Sequence, residues 1–323
     1  MQNLPVSIII CTYNRANLVR IAIHSILAQD VPQNSYELII VDNNSTDNTR
    51  EVFTESSVEH PNIRYFHEEK QGLSHARNRG LKEARGEYIV YIDDECILPP
   101  GYLALVFGII DKIKPDIFGG PIKAYYDFER PHWIKDEYFS EFLDKDSGIL
   151  SPEEYVYGGN MGIKTETLNK LGGFNVNLGM KGNELAFAEE VEFQRRAVET
   201  IPNLNNYFDS DLWLYHHVRK EKVNLRWLIG FHFYMGMKGL EGLNAVHKFQ
   251  TLSSFWQMIG LFKALATIFY RLVRICIRLI VMVLFRGEKY PCWQQYLFER
   301  IYEIEVKRIG VNYAVIKCTI SSI

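Results

Sequence analysis

Three consecutive acids, Asp93, Asp94 and Glu95, stand directly behind the apolar run Glu87–Ile92. Adjacent carboxylates repel one another and lose solvation where the chain folds over them, unless a cation sits among them. Either this is a solvated acidic turn, or it is a site for Mg²⁺ or Mn²⁺, which prefer hard oxygen ligands. A second acidic pair, Glu189 and Glu190, falls within the amphipathic pattern Glu184–Arg196. A carboxylate there can take a proton from an attacking hydroxyl. An ordinary acidic first turn of a helix has the same composition.

The elements that must position these groups are legible as alternating patterns. Short β-branched runs occur at Val6–Ile10, Tyr36–Val41 and Glu87–Ile92, with a weaker one at Ile63–Phe66. Helical patterns lie between them, near Ala16–Gln29, Thr46–Ser56 and Ser74–Ala84. This predicts an α/β fold with a mainly parallel central sheet and helices on both faces. Ligands of such sheets bind beyond the carboxyl ends of the strands. The polar clusters fall there: "CTYNR" after the first strand, "DNNSTDNT" after the second and the three acids after the fourth. No G-x-G-x-x-G and no P-loop is present, so a nucleotide would be held by carboxylates and a metal, without a glycine cradle.

Bulk properties narrow the function classes. A chain of 323 residues holds one large domain, or one of roughly 200–250 residues with an appendage. Its formal charge of -3 provides no basic excess for nucleic acid. Its five scattered cysteines lack any C-x-x-C pair, which argues against a disulfide framework or structural zinc and fits a reducing compartment. The N-terminal "MQNLPVSIII" has no basic n-region and reads as a first strand, not a signal peptide.

Five segments in order, "CTYNR", "VDNNSTDNT", "GLSHARNRGLKEARGEYIVYIDDE", "GGNMGIKTETLNKLGGFN" and "AEEVEFQRR", resemble the family 2 glycosyltransferases of the A-type fold. The likeness spans about residues 5–240 and is to the inverting bacterial enzymes that build surface polysaccharides and lipid-linked glycans. It implies a catalytic domain over 1–240 with a helical C-terminal extension over 241–323. It also implies a nucleoside diphosphate sugar as donor, a UDP-sugar first of all, and a glycan or polyprenyl-linked hydroxyl as acceptor. Asp93, Asp94 and Glu95 would fill the family's D-x-D role, reaching the metal and the ribose, with His216 completing the metal site or touching the diphosphate. A lone histidine is as readily structural. Cys11, Tyr13 and Arg15 of "CTYNR" would line the donor side. Asp42 would accept from the base N–H, although an Asx-turn opening "DNNSTDNT" suits it equally. Arg77 would serve the nucleotide or lie on a solvated helix face. Glu190 would be the catalytic base and Glu189 its partner, with the ionised form favoured by the helix N-terminus. Arg196 would pair with an acid or the diphosphate. Gly158, Gly159 and Asn160 would form the acceptor-side loop, and Trp133 a sugar-stacking platform or a core residue.

In the tail, 260–287 reads "GLFKALATIFYRLVRICIRLIVMVLFRG". At 100° per residue Lys263, Arg271, Arg274 and Arg278 share a stripe roughly 80° wide. No stretch reaches the roughly 18 apolar residues of a spanning helix. A basic stripe on an apolar helix suits a membrane interface with anionic lipids, and a helix packed on protein is the alternative. The expectation is a cytoplasmic enzyme at the inner face of the membrane. Two other readings share the acids: a metal-dependent sugar nucleotidyltransferase, whose glycine-rich basic N-terminal loop is missing here, and a catalytically silent nucleotide-sugar-binding scaffold.

Overall fold

The first apolar run forms β1 (Leu4–Thr12), which is flanked by β2 (Tyr36–Asp42) on one side and β4 (Gly86–Asp93) on the other. All pair in parallel, with β3 (Ile63–His67) outside β2. The register sets Thr12 beside Asp42 and Cys11 beside Asp93. The ends of three strands therefore bring the polar clusters to one edge. These relationships come from a computed structural model, which describes residues 4–58, 60–141, 143, 145–182, 186–251, 254–284 and 303–320.

Further short strands follow: β5 (Cys96–Ile97), β6 (Ile117–Gly119), β7 (Ile122–Tyr125), β8 (Gly148–Ile149), β9 (Asn160–Lys164), β10 (Asn206–Phe208) and β11 (Leu214–His217). The main sheet runs β3-β2-β1-β4-β9-β6-β10-β8, with β9 antiparallel to both neighbours and β8 antiparallel to β10. It is thus mainly parallel, as the alternating patterns predict. A second sheet, β5-β11-β7, lies apart from it.

Side chains alternate across a strand, which explains why the runs are continuously apolar. Ile8, Ile10, Leu38, Ile40 and Val90 bury on one face with α1 (Ala16–Leu27) and α4 (Tyr102–Lys112). Ile9, Ile39, Val41, Ile89 and Tyr91 bury on the other. There they meet α3 (Leu73–Glu83), α5 (Thr165–Leu171) and α6 (Glu189–Thr200). Helix α2 (Thr49–Ser57) begins three residues later than its periodicity suggests, because Asp47 folds back to accept from the Thr49 N–H.

The chain divides into two compact units. The first comprises 1–127, 136–183 and 189–218 and holds both sheets. The second comprises 128–135, 184–188 and 219–323, so the expected boundary at 240 falls inside it. Its described helices are α7 (Leu225–Lys238), α8 (Leu240–Gln250), α9 (Ser254–Leu284) and α10 (Glu303–Ile320). Asn224 opens α7, its side chain accepting from the Trp227 N–H at 2.9 Å. α7 and α10 meet almost backbone to backbone: a Cβ on Gly236 would overlap the Lys307 carbonyl, and one on Gly310 the Phe233 carbonyl.

The expected basic stripe lies on α9, and 285–287 fall outside the described residues. Arg271, Arg274 and Arg278 do not face outward as a group. All three turn to Glu305 of α10, which is 1% exposed. The reason is charge pairing: a buried carboxylate needs cations, and the stripe supplies them. What α9 exposes instead is apolar: Phe262, Leu265, Phe269, Leu272, Ile277 and Ile280 are all open.

Candidate active site

Arg77 is the centre of the site. It sits on α3, 3% exposed, with its guanidinium against the rings of Tyr91 and Phe174. Nη1 donates to Glu189 Oε1 at 2.8 Å, and Nη2 to the Gly158 carbonyl at 3.3 Å. Nη2 also lies 3.9 Å from Asp93 Oδ1. Burial opposes the charge, but Glu189, Asp93 and Glu190 together outweigh it and push the guanidinium pKa above its ordinary value. The solvated helix face is therefore not where Arg77 points.

Glu189 and Glu190 open α6, as expected. Glu189 is 4% exposed and held by Arg77. Glu190 keeps part of its side chain open, but its Oε2 is sealed and has no hydrogen-bond partner. Its carboxyl is shifted upward, opposite to the direction expected from the helix N-terminus. Burial, then the Glu189 charge, push its carboxyl well above the ordinary range, and Arg77 and the helix N–H only partly offset them. Desolvation outweighs the helix dipole here.

Two glycines let these groups approach. A Cβ on Gly158 would stand 2.9 Å from Arg77 Nη2 and 3.3 Å from Glu190 Cβ. A Cβ on Gly159 would stand 2.5 Å from Asp93 Oδ2. Asn160, expected beside an acceptor, is instead wholly buried. Its Nδ2 donates to the Pro121 and Leu212 carbonyls, and its Oδ1 accepts from the Tyr102 hydroxyl. Every polar atom of that amide is engaged within the fold, so it braces the sheet and has nothing left for a sugar. Trp133 belongs to the second unit and is 8% exposed, which suits a packed ring better than an open platform.

The three acids after β4 separate in role. Asp93 keeps a 39% exposed side chain. Asp94 is buried and accepts from Arg15 Nη1 at 2.7 Å; burial raises its carboxyl against the pull of that arginine. Glu95 is buried too, with Oε1 3.1 Å from His216 Nε2 and Oε2 3.8 Å from Arg15. His217 points to Asp127 instead, at 3.1 Å. The expected metal set of Asp93, Asp94, Glu95 and His216 is thus not gathered into one cluster. Among the described residues no three His, Cys, Asp or Glu side chains converge on a common point. The donor that fits a divalent ion is Asp93, an open hard-oxygen ligand at the strand end. Mg²⁺ commonly takes only one or two protein carboxylates and completes its shell with phosphate and water.

On the other side of β1, Asp42 is 3% exposed and carries two internal hydrogen bonds. Its Oδ1 accepts from the Ser45 N–H at 2.8 Å, three residues on where an Asx-turn would use the residue two on, and its Oδ2 accepts from the Tyr65 hydroxyl at 2.6 Å. The loops after β1 and β2 hold each other. Asn14 N–H donates to Ser45 Oγ, Thr46 N–H to Asn14 Oδ1, and Ala16 N–H to Asp47 Oδ2. Tyr13 is half-buried beside these contacts. The Cys11 thiol is pushed up to about 12 by burial, with Arg77 opposing, and so stays neutral. Arg196 is spent on Glu192 and on the Leu171 and Gly173 carbonyls, not on the site.

Residue reasoning missed Tyr65, Asn43 and Glu141. Tyr65 lay in a strand too short to stand out. Asn43 binds four groups of the 68–72 segment, among them the Gly72 N–H at 2.7 Å. Only its place in "DNNSTDNT" hinted at that. Glu141 is exposed, and its backbone pairs with that of Ile122 beside β7. It lies in a region without a motif.

Known proteins similar to this chain are glycosyltransferases. Residues 7–172 match the family model described as glycosyl transferase family 2. Glycosyltransferase AglE of Haloferax volcanii is 25% identical over 195 residues, 60% of this chain and 61% of its own. The GalNAc(5)-diNAcBac-PP-undecaprenol beta-1,3-glucosyltransferase of Campylobacter jejuni is 32% identical over 145 residues, 44% of this chain and 45% of its own. The chain therefore spans less than two thirds of the length of either. The fold is similar to that of mannosyltransferase PcManGT from Pyrobaculum calidifontis, solved with GDP-Man and Mn²⁺. The TM-score is 0.62 at 16% identity, covering 98% of this chain and 88% of that one.

Proposed function

The chain belongs to glycosyl transferase family 2, and from that membership we propose an inverting glycosyltransferase that uses a nucleoside diphosphate sugar. A UDP-sugar is the favoured donor; an accepting Asp42 suits the N3–H of uracil, and would equally suit the ring N–H of thymine or guanine. One observation carries the reading: Arg77 bridges the acid of β4, Asp93, to the acids of α6, Glu189 and Glu190, across 112 positions of sequence at the Glu189 end. This supports a reading in which the donor diphosphate and the proton acceptor of the attacking hydroxyl share one place.

In this reaction the acceptor oxygen bonds to the anomeric carbon as the bond from that carbon to the diphosphate breaks. Glu190, deprotonated, takes the acceptor's proton, and the nucleoside diphosphate leaves with the bonding electrons. Arg77 holds Glu189 in place and lends positive charge beside Asp93. A bound Mn²⁺ or Mg²⁺, held by Asp93, would neutralise charge on the leaving diphosphate. Glu95 and His216 would hold the flank of that position, and Arg15 fixes Asp94 beneath it.

The acceptor proposed is a glycan or polyprenyl-linked hydroxyl, and one similarity supports a lipid-linked one: the Campylobacter jejuni relative's name includes an undecaprenol carrier. The location proposed is the cytoplasmic face of a membrane, where nucleotide sugars are supplied. No described helix is long and apolar enough to cross a membrane. Support for surface contact comes from the apolar outer face of α9, beside a basic stripe of which Glu305 offsets one charge. The catalytic domain over 1–240 and the helical extension over 241–323 remain part of the proposal.

The test is nucleoside diphosphate release from UDP-, GDP- and dTDP-sugars, with Mn²⁺ or Mg²⁺ and then with EDTA, beside Glu190→Gln. Metal-dependent release from one donor, lost in Glu190→Gln, is expected. Tight donor binding with no release, even with lipid-extract acceptors, would instead favour a silent scaffold. Release of pyrophosphate would favour a nucleotidyltransferase.

A further inference from the structure

The carboxylate proposed to read the base is held by a side chain from a different strand. Tyr65 lies on β3, where its register partner on β2 is Ile40, two residues before Asp42. Its side chain spans that diagonal, and its hydroxyl donates to Asp42 Oδ2 at 2.6 Å. The ring is fixed in turn by Phe53 of α2, with centroids 5.0 Å apart. Burial and Asp42 both raise the phenol above its ordinary value, so it remains a donor throughout the neutral range.

An ionised carboxylate has about four lone-pair sites on its two oxygens. The Ser45 N–H takes one on Oδ1, and Tyr65 takes one on Oδ2. With a donor on each oxygen the plane of the group is set, and the sites that remain can only accept. Of the two internal donors Ser45 uses its backbone, which no substitution short of proline removes. The hydroxyl of Tyr65 is the adjustable one.

We infer that Tyr65 is a positioning residue for nucleobase selection: by holding Asp42 Oδ2 it aims the carboxylate at a base edge that presents an N–H. Uracil at N3 and guanine at N1 present a ring N–H, whereas the N–H of cytosine is exocyclic and displaced from that position. Cytosine presents an unprotonated ring nitrogen where uracil has N3–H, and two acceptors would then face each other in a buried site, which is costly. Without the hydroxyl the carboxylate can turn about its broad terminal torsion and the discrimination weakens. The inference rests on the reading of Asp42 proposed above.

The experiment is calorimetric titration of the full chain with UDP, GDP and CDP, in wild type, Tyr65→Phe and Asp42→Asn. Phenylalanine keeps the stack on Phe53 and removes only the hydroxyl. Expected is a loss of roughly 10-fold in affinity for UDP or GDP, whichever binds wild type better. The preference of that nucleotide over CDP should fall by a similar factor. The melting temperature should stay close to wild type, and turnover should show a raised KM with little change in kcat. Asp42→Asn should abolish the preference. If Tyr65→Phe keeps the wild-type preference while Asp42→Asn loses it, this inference fails and the reading of Asp42 stands. An equal loss for all three nucleotides with the preference intact would mean a purely structural tyrosine, and also overturns it. If Asp42→Asn keeps the preference, or none of the three binds wild type, both readings fall.

Discussion

The guanidinium of Arg77 lies 2.8 Å from Glu189 Oε1 through one nitrogen and 3.9 Å from Asp93 Oδ1 through the other. A planar fork presents a separate nitrogen to each carboxylate, whereas a lysine ammonium is a single point charge that cannot span the same two positions in that geometry. Arg77→Lys is therefore expected to lower kcat/KM by about 100-fold or more while the chain still folds. Arg77→Met leaves Glu189 buried without its cation and should cost about 3–5 kcal/mol in stability. Donor turnover and thermal melting check the two. Near-wild-type turnover in Arg77→Lys would remove Arg77 from the site.

Glu190 gives a pH signature. Its carboxyl is raised by burial and by Glu189, so the base form grows only as pH climbs above the ordinary carboxylate range. kcat/KM should rise with pH through that raised value, well after an exposed glutamate would have ionised. Stability should run the other way. Between the ordinary and the raised value the native state holds a proton that the unfolded chain has lost, so stability falls as pH rises. Glu190→Gln should lose both slopes, with kcat down about 10²–10⁴-fold. Denaturant melts across pH, alongside initial rates, would show it.

Gly159→Ala tests how closely the chain must approach Asp93. The added methyl would meet Oδ2 at 2.5 Å, inside any tolerable contact. Asp93 is at the end of its strand and part exposed, so it can swing away and the fold should survive. The expected result is a melting temperature within a few degrees of wild type and a need for much more Mn²⁺ to reach half-maximal rate. An unchanged metal titration would argue that Asp93 does not hold the ion.

The outer face of α9 separates two kinds of membrane contact. If lipids meet the apolar residues, vesicle co-sedimentation should survive high salt and depend little on anionic lipid content. Phe269→Glu should then abolish it, since Phe269 is 70% exposed and its substitution disturbs no packing. Binding that needs anionic lipid and collapses in salt would return the role to the basic stripe.

Much of this was readable before any coordinate. The parallel strands announced themselves through β-branched runs buried on both faces, and the site edge through polar clusters after each strand. What could not be read were choices decided by tertiary partners. Asn160 carries no mark that its amide will be consumed by Pro121, Leu212 and Tyr102. The arginines at 271, 274 and 278 form a basic stripe in any helical projection, but a single glutamate about thirty positions away decides which way the stripe faces. Glu190 shows the same limit in electrostatics, because desolvation depends on what covers a helix start and the dipole alone does not.

The mutual hold between Asn14, Ser45, Thr46, Asp47 and Ala16 has a consequence for exchanging parts among relatives. Neither loop at that edge is a self-contained module, because each supplies the acceptors for the other's backbone. Grafting 11–16 alone, or 42–49 alone, would import half of a set of contacts and leave the other half unmatched. The two segments form one heritable unit, and donor preference should transfer between homologues only when both move together.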